Sequence, residues 1–163
     1  MSVLALCQWL QNSALGTGIR ESAYMYGIIE STHVLACALS VGILATCDLR
    51  LLGITMRRTP VSEVFNGLLP FSLAGFTLMF LSGGLIFWAE AEKSYHSGYF
   101  RLKVVLLLMA GLNALLFHTT IYRNIKDWDT TPQLPMRVRL AGLTSLVLWT
   151  AIIATGREFA YHL

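Results

Sequence analysis

The feature of this sequence that most limits its fold is a set of long stretches without charged side chains. Residues 64–89 contain no acidic or basic residue, and residues 104–122 and 140–156 contain no Asp, Glu, Lys or Arg. A helix needs roughly 20 apolar residues, and at least about 17, to cross the hydrocarbon core of a bilayer. Each of the three stretches is therefore long enough to span a membrane.

A fourth stretch, residues 22–46, is interrupted only by Glu30 and His33. The composition agrees with a membrane protein, since only 13% of the residues are charged against ~25% in typical soluble domains. We predict an all-α integral membrane four-helix bundle that forms a single domain over residues 1–163. Its helices are expected at about 22–54, 64–92, 100–127 and 135–160. The preceding "MSVLALCQWLQNSALG" predicts a short N-terminal interfacial helix.

The basic residues favour one orientation of the bundle. Arg50, Arg57, Arg58, Arg123, Lys126, Arg137 and Arg139 fall at one membrane side, whereas Arg20, Lys93, Arg101, Lys103 and Arg157 fall at the other. Cytoplasmic loops carry an excess of Lys and Arg. The pattern therefore predicts a multi-pass protein of the bacterial inner membrane with both termini in the periplasm. A net charge of +3 gives no indication of nucleic-acid binding.

Polar and small residues recur at intervals of three or four within the predicted spans, which places them on single helix faces. Polar groups in membrane helices point into the bundle, so we expect these faces to turn inward, and we expect Asn113 to make an interhelical hydrogen bond. The faces comprise Glu30, His33, Cys37, Ser40, Leu44 and Cys47; Ser72, Gly75, Met79, Ser82 and Ile86; Gly111, Ala114 and His118; and Gly142, Ser145, Trp149, Ile152 and Gly156.

His33 and His118 lie within predicted spans, where histidine serves as a haem or metal ligand, a proton relay or a hydrogen-bonding group. Counting from the expected helix starts puts them ~18 Å and ~27 Å from the outer surface, at 1.5 Å per residue. This difference in depth disfavours a single iron bound by both histidines, and it suits two haems bound at different depths in the membrane. Met79 and Met109 fall closer to the level of His33. Expected partners of the haem propionates are Arg20, Arg50, Arg139 and Arg157.

A different chemistry is suggested by Glu30 and His33, because a Glu-x-x-His pair one turn apart is used by metal sites in helix bundles. The same predicted side also holds His96, His162, Glu90, Glu92 and Glu158, and His118 is a further candidate ligand. Such a set suits copper or zinc. A structural reading stays open as well, in which His33 makes only a hydrogen bond and the protein is a cofactor-free scaffold. Soluble-type catalytic motifs do not occur, so a non-catalytic subunit is favoured over an enzyme.

Several motifs carry a resemblance along nearly the whole chain: "WLQNS", "IESTHVLA", "DLRLLG", "LLPFSLAGF", "NALLFH", "RLAGLTSLVLW" and "GREFAY". On these the chain resembles an uncharacterised bacterial family of small four-helix inner-membrane proteins. The resemblance implies the four-helix topology and draws attention to Glu30, His33, Asp48, Arg50, Asn113, His118 and Arg157. More loosely, the chain is similar to transmembrane cytochromes b, which implies b-type haem.

These observations lead to one functional hypothesis and an alternative. The hypothesis is a membrane redox subunit that binds haem b and passes electrons between quinone and an outer-side partner. The alternative is a membrane protein that binds or transports copper or another transition metal. In both cases we expect a homo-oligomer, or a membrane complex with a periplasmic redox or metal-binding partner.

Overall fold

The computed structural model describes residues 2–131 and 133–161, and every regular element in these residues is helical. Four helices are long and apolar enough to cross a membrane, as predicted. We call the membrane end at which α3 begins the outer end, and the opposite end the inner end. The helices are α1 (Val3–Gln11), α2 (Ala14–Glu21), α3 (Met25–Leu51), α4 (Val61–Ala89), α5 (Ala91–His96), α6 (Gly98–Leu116) and α7 (Met136–Tyr161); a π-helical turn (Phe117–Ile121) and a 3-10 turn (Tyr122–Asp127) continue α6.

The boundaries of the first two spans differ from the predicted ones for local reasons. Helix α3 ends at Leu51 because Gly53 and Met56 adopt positive φ angles, +73° and +48°, which are incompatible with a continuing helix. Helix α4 starts directly after Pro60, where proline has no backbone N–H to lose. Its outer end breaks at Glu90, so residues up to His96 form the separate helix α5.

The N-terminal segment forms two short helices instead of the one predicted. Ser2 and Ser13 cap them, each accepting a hydrogen bond from a backbone N–H three residues ahead, both at 3.2 Å. These helices are attached to the outer end of the bundle. The indole Nε1–H of Trp88 donates to Ser13 Oγ at 2.9 Å, and the backbone N–H of Glu92 donates to Gln11 Oε1 at 2.9 Å.

The bundle is built from two closely packed helix pairs, α3 with α4 and α6 with α7, and α3 also packs on α7. Helices α4 and α6 meet mainly through aromatic rings. Phe87 and Phe100 stack near the outer end with centroids 5.4 Å apart. Phe65 and Phe117 approach to 5.8 Å near the inner end, within the largest hydrophobic cluster of the protein.

Small side chains bring α3 and α4 together. Ser40 is fully buried, and a Cβ on Gly75 would lie 3.0 Å from the Cβ of Ser40. The hydroxyl of Ser72 donates to the Ser40 carbonyl at 3.3 Å across the same contact. The predicted inward faces of α4 and α7 are therefore confirmed at their small residues, since Gly142 and Ser145 are buried too.

The predicted inward face of α6 is wrong. Gly111, Ala114 and His118 are exposed, because α6 packs on α7 through Ala110 and Asn113 instead. The side-chain amide of Asn113 donates to the Ala141 carbonyl at 3.2 Å, which confirms the expected interhelical hydrogen bond.

The contact at Gly75 leads to a stability prediction. Replacing Gly75 with Leu should destabilise the α3–α4 pair by about 1–3 kcal/mol, the usual cost of overpacking. Gly84→Leu is the matched control, because nothing lies within 4 Å of a Cβ at Gly84 on the same helix. Thermal unfolding in detergent should show a lower midpoint for Gly75→Leu only. Equal midpoints for the two variants would contradict the assigned close approach.

Candidate functional site

His33 is held at the α3–α4 interface by its Nδ1 atom. Nδ1 lies 2.9 Å from the Met79 carbonyl oxygen and 3.1 Å from Ser82 Oγ. A carbonyl oxygen only accepts hydrogen bonds, so Nδ1 carries the proton in this arrangement and donates it. Nε2 is then the unprotonated nitrogen with a free lone pair. The fold therefore fixes both the tautomer and the orientation of this imidazole.

The ring of His33 fits because α4 has a glycine opposite it. A Cβ on Gly83 would lie 3.0 Å from His33 Cε1 and 3.4 Å from Nδ1, a tight contact with the flat imidazole. Ser82 is also committed locally, since its hydroxyl donates to the Leu78 carbonyl at 2.7 Å. The imidazole is thus packed against backbone on one side and hydrogen bonded at one nitrogen.

Lys103 on α6 is the cationic side chain that acts electrostatically on His33. It is not among the predicted site residues. Its Nζ lies 3.3 Å from the position of a Cβ on Gly156 of α7, so a larger residue there would crowd the ammonium group. It interacts electrostatically with His33 and Cys37. Lys103 forms no hydrogen bond or ion pair with the residues that the structure describes. We call His33, Cys37 and Lys103 the His33 site.

A sequence signal for Lys103 was available. The side chains of α6 that are buried or partly buried recur every three or four residues, which is the spacing of one helix face. This face comprises Phe100, Lys103, Leu106, Leu107, Ala110 and Asn113, and it continues to Phe117 in the π-helical turn. Following it instead of the glycine and alanine face would have placed Lys103 inside the bundle.

Glu30 does not point inward, and that prediction is wrong. Its side chain is exposed, one turn before His33. Three residues turn a helix by about 300°, which leaves Glu30 about 60° around the helix from His33. The predicted face therefore holds at His33, Ser40 and Cys47 and drifts away from the bundle at its outer end.

His118 and Met109 lie away from the His33 site. His118 is exposed in the π-helical turn, and its ring packs near the rings of Phe117 and Tyr122. Since Phe117 packs on Phe65, this level is about 14 residues of α4, or ~21 Å, from Met79. Met109 is 50% exposed, whereas Met79 is buried. His33 and His118 of one chain are therefore too far apart to bind the same iron.

The four predicted propionate partners do not converge on His33. Arg20 donates from one guanidinium nitrogen to the carbonyls of Gln11 and Ala89, both at 3.3 Å, and so closes the outer end of α4. Arg50 is buried at the inner end and donates to the Thr59 carbonyl at 2.9 Å. Arg139 is exposed, and Arg157 pairs with the hydroxyl of Tyr161 at 2.7 Å.

The proposed metal ligands are not gathered either. His96 is exposed, and Glu90 forms an ion pair with Lys93 at 3.0 Å. His162 lies outside the described residues. Among residues 2–131 and 133–161, no three His, Cys, Asp or Glu side chains are grouped so that they could hold a metal ion.

A second ionisable group lies in the inner half of the bundle. Asp48 is 4% exposed, faces the Ser145 hydroxyl on α7, and has one carboxyl oxygen, Oδ2, without a hydrogen-bond partner in the described structure. Gly142 allows the approach, because its Cβ would lie 3.1 Å from the Asp48 carbonyl oxygen. The bundle interior thus contains a cationic group near the outer end and a carboxyl group near the inner end.

Comparison with known proteins identifies the family of this chain. A family described as "Family of unknown function (DUF6644)" matches residues 6–162. The chain belongs to this family. The predicted resemblance to an uncharacterised family is thereby confirmed, while the looser similarity to transmembrane cytochromes b stays a prediction. No curated protein and no solved structure matches the chain.

The contacts of Arg20 predict a structural role for this residue. Arg20→Gln should lower the unfolding midpoint, because the carbonyl of Ala89 loses its donor at a cost of about 1–3 kcal/mol. Arg101→Gln is the control, since Arg101 is exposed and, among the described residues, its side chain donates only to the nearby His96 carbonyl. Both midpoints are measured in detergent. An unchanged midpoint in Arg20→Gln would show that its contacts do not stabilise the outer end.

Proposed function

We propose that this protein is a membrane redox subunit that binds b-type haem through His33. The observation that carries the proposal is the His33 site itself, in which an imidazole with a free Nε2 lies within electrostatic range of an ammonium group that lacks an acidic partner in the described structure. Haem offers a complement to both groups, an iron for the imidazole and propionates for the ammonium.

The hydrogen bond at Nδ1 supports ligation at Nε2. Histidines that bind a metal almost always donate their other ring N–H to a carbonyl, a carboxylate or water, which fixes the ring and raises its basicity. The Met79 carbonyl serves that purpose here at 2.9 Å. Gly83 adds to the restraint by allowing the backbone of α4 to contact the ring.

Lys103 distinguishes haem from a bare metal ion. A cation placed inside a membrane bundle normally pairs with an anion or with backbone carbonyls. A copper or zinc ion bound at His33 would add positive charge beside Lys103, which is unfavourable in a medium of low dielectric constant. A haem propionate would instead neutralise the ammonium group. This electrostatic argument favours haem over the transition-metal alternative.

On this proposal the protein's own residues bind and position the cofactor, and the haem supplies reversible one-electron chemistry. His33 would bind the iron through Nε2, Lys103 would hold a propionate, and the aromatic contacts between α4 and α6 would keep water away. Each chain provides one imidazole, because His118 lies at the other end of the bundle. The subunit would pass electrons between membrane quinone and an outer-side partner, within a homo-oligomer or a larger membrane complex.

The spectrum of the purified protein tests the proposal. After expression with ample haem, the wild type should show a Soret band and iron in proportion to protein. His33→Gln should lose most of this absorbance, because its amide keeps a donor for the Met79 carbonyl but is a poor iron ligand. Lys103→Met should bind haem several-fold more weakly. His118→Ala and Met109→Leu are the controls and should retain the full spectrum.

Size-exclusion profiles verify that all variants fold, so a lost spectrum reports on ligation. A wild type without a porphyrin spectrum would end the haem proposal. In that case copper or zinc in the elemental analysis would favour the transition-metal alternative, and metal-free protein that assembles with a partner would favour a scaffold. An unchanged spectrum in His33→Gln would rule out His33 as the ligand.

We further propose that the protein lies in a bacterial inner membrane with both termini in the periplasm, as the distribution of basic residues suggests. Reporter enzymes fused after Leu163 should therefore be active only when the reporter works in the periplasm. Fusions within the loop between α3 and α4 should show the opposite pattern. Cytoplasmic activity of the C-terminal fusion would reverse the proposed orientation.

A further inference from the structure

A pocket of about 480 Å³ lies at the inner end of the bundle, between the region that follows α6 and the start of α7. We call it the α6–α7 pocket. It does not include His33 or Lys103, and the proposed redox function makes no use of it. Its lining combines an apolar surface with a few polar groups, which is the usual character of ligand-binding sites in this size range.

The pocket exists because α6 stops being a regular α-helix at Phe117. The chain forms a wide π-helical turn to Ile121, then a 3-10 turn in which Asn124 leaves helical geometry at φ −102° and ψ 29°. The hydroxyl of Thr120 donates to the Leu116 carbonyl at 2.6 Å and stabilises the wide turn. Irregular turns of this kind occur frequently at functional sites.

The inside of the pocket is apolar and firmly packed. Phe117, Trp128 and Val138 are buried and belong to the main hydrophobic cluster. The hydrogen bond from Asn113 to the Ala141 carbonyl ties the two helices together at the deep end. Leu116 and Leu140 also line the pocket and are about half exposed, so it opens sideways toward the surrounding lipid.

The rim of the pocket is cationic and polar. Arg137 and Asn124 line it, both are exposed, and neither forms a side-chain hydrogen bond or ion pair with residues of the described chain. The same membrane end carries seven basic residues, Arg50, Arg57, Arg58, Arg123, Lys126, Arg137 and Arg139, against four acidic ones, Asp48, Glu63, Asp127 and Asp129. A ligand with an anionic group at the membrane surface fits this charge.

We propose that the α6–α7 pocket binds an anionic glycerophospholipid. Its phosphate would interact with Arg137 and Asn124, and the first part of an acyl chain would pack along Leu116, Leu140 and the buried rings. Basic pockets between membrane helices bind anionic headgroups in this way. Quinone would fill the apolar part of the pocket but has no anionic group for Arg137. Free phosphate would pair with Arg137 but would leave the apolar part empty.

Lipid binding to the purified full-length protein tests this assignment. Native mass spectrometry with phosphatidylglycerol and phosphatidylcholine should show preferential retention of phosphatidylglycerol. Arg137→Gln should weaken that retention about fivefold, since one basic residue near the surface contributes about 1 kcal/mol to binding an anionic lipid. Arg139→Gln removes an equal charge two residues away but does not line the pocket, and it should have little effect.

A second pair of variants tests the pocket volume. Thr144→Trp should fill the pocket and reduce phosphatidylglycerol retention to the level of phosphatidylcholine. Leu143→Trp places the same side chain on the exposed surface one residue earlier and should leave retention unchanged. Equal effects of the two arginine variants, or retention unaffected by Thr144→Trp, would overturn the site. So would displacement of the lipid by inorganic phosphate or by a soluble quinone. These readouts need no haem and are independent of the proposed redox function.

Discussion

The structure depends on the close approach of α3 and α4. Ser40 meets Gly75 in the middle of the membrane, and His33 meets Gly83 nearer the outer end. Without the hydrophobic effect between helices in lipid, such pairs are held by van der Waals contact and interhelical hydrogen bonds. At His33 the close van der Waals contact and the interhelical hydrogen bond occur together, because the imidazole reaches the Met79 carbonyl only where the α3 and α4 backbones are close. The packing of α3 on α4 and the orientation of the His33 imidazole therefore depend on the same contacts.

Much of the fold was predictable because membrane spans need long apolar runs, and three uncharged runs and a fourth interrupted only by Glu30 and His33 were visible. Inward orientation was predictable near the centre of α3, where Ser40 and Cys47 repeat at helical spacing, and it failed at Glu30 because the helix period is 3.6 and not 3.5. On α6 the small residues were misleading. Gly111 and Ala114 face outward, and the inward face contains Lys103, whose charge had been attributed to the membrane surface.

The site residues were harder to predict than the helices for a related reason. Histidine alone does not indicate direction, and His33 and His118 look equivalent in sequence although one is packed against α4 and the other is exposed. The distance between the two histidines follows from their contacts on α4, because His33 contacts Met79 whereas Phe117, next to His118, contacts Phe65. The pocket beside α7 was also hidden, because a π-helical turn at Phe117 arises from tertiary packing and hydroxyl-to-carbonyl bonds that leave no clear pattern in sequence.

The attachment of the N-terminal helices has a consequence for the order of assembly. Arg20 and Ser13 leave the ribosome early, yet their partners Ala89 and Trp88 are synthesised about 70 residues later. The first two helices can therefore dock on α4 only after the second span has been inserted. Membrane proteins begin folding from the N-terminus during synthesis, but here the outer end closes only after α4 has returned to it. Helices α1 and α2 therefore reach their final position later than the two spans that follow them begin to form.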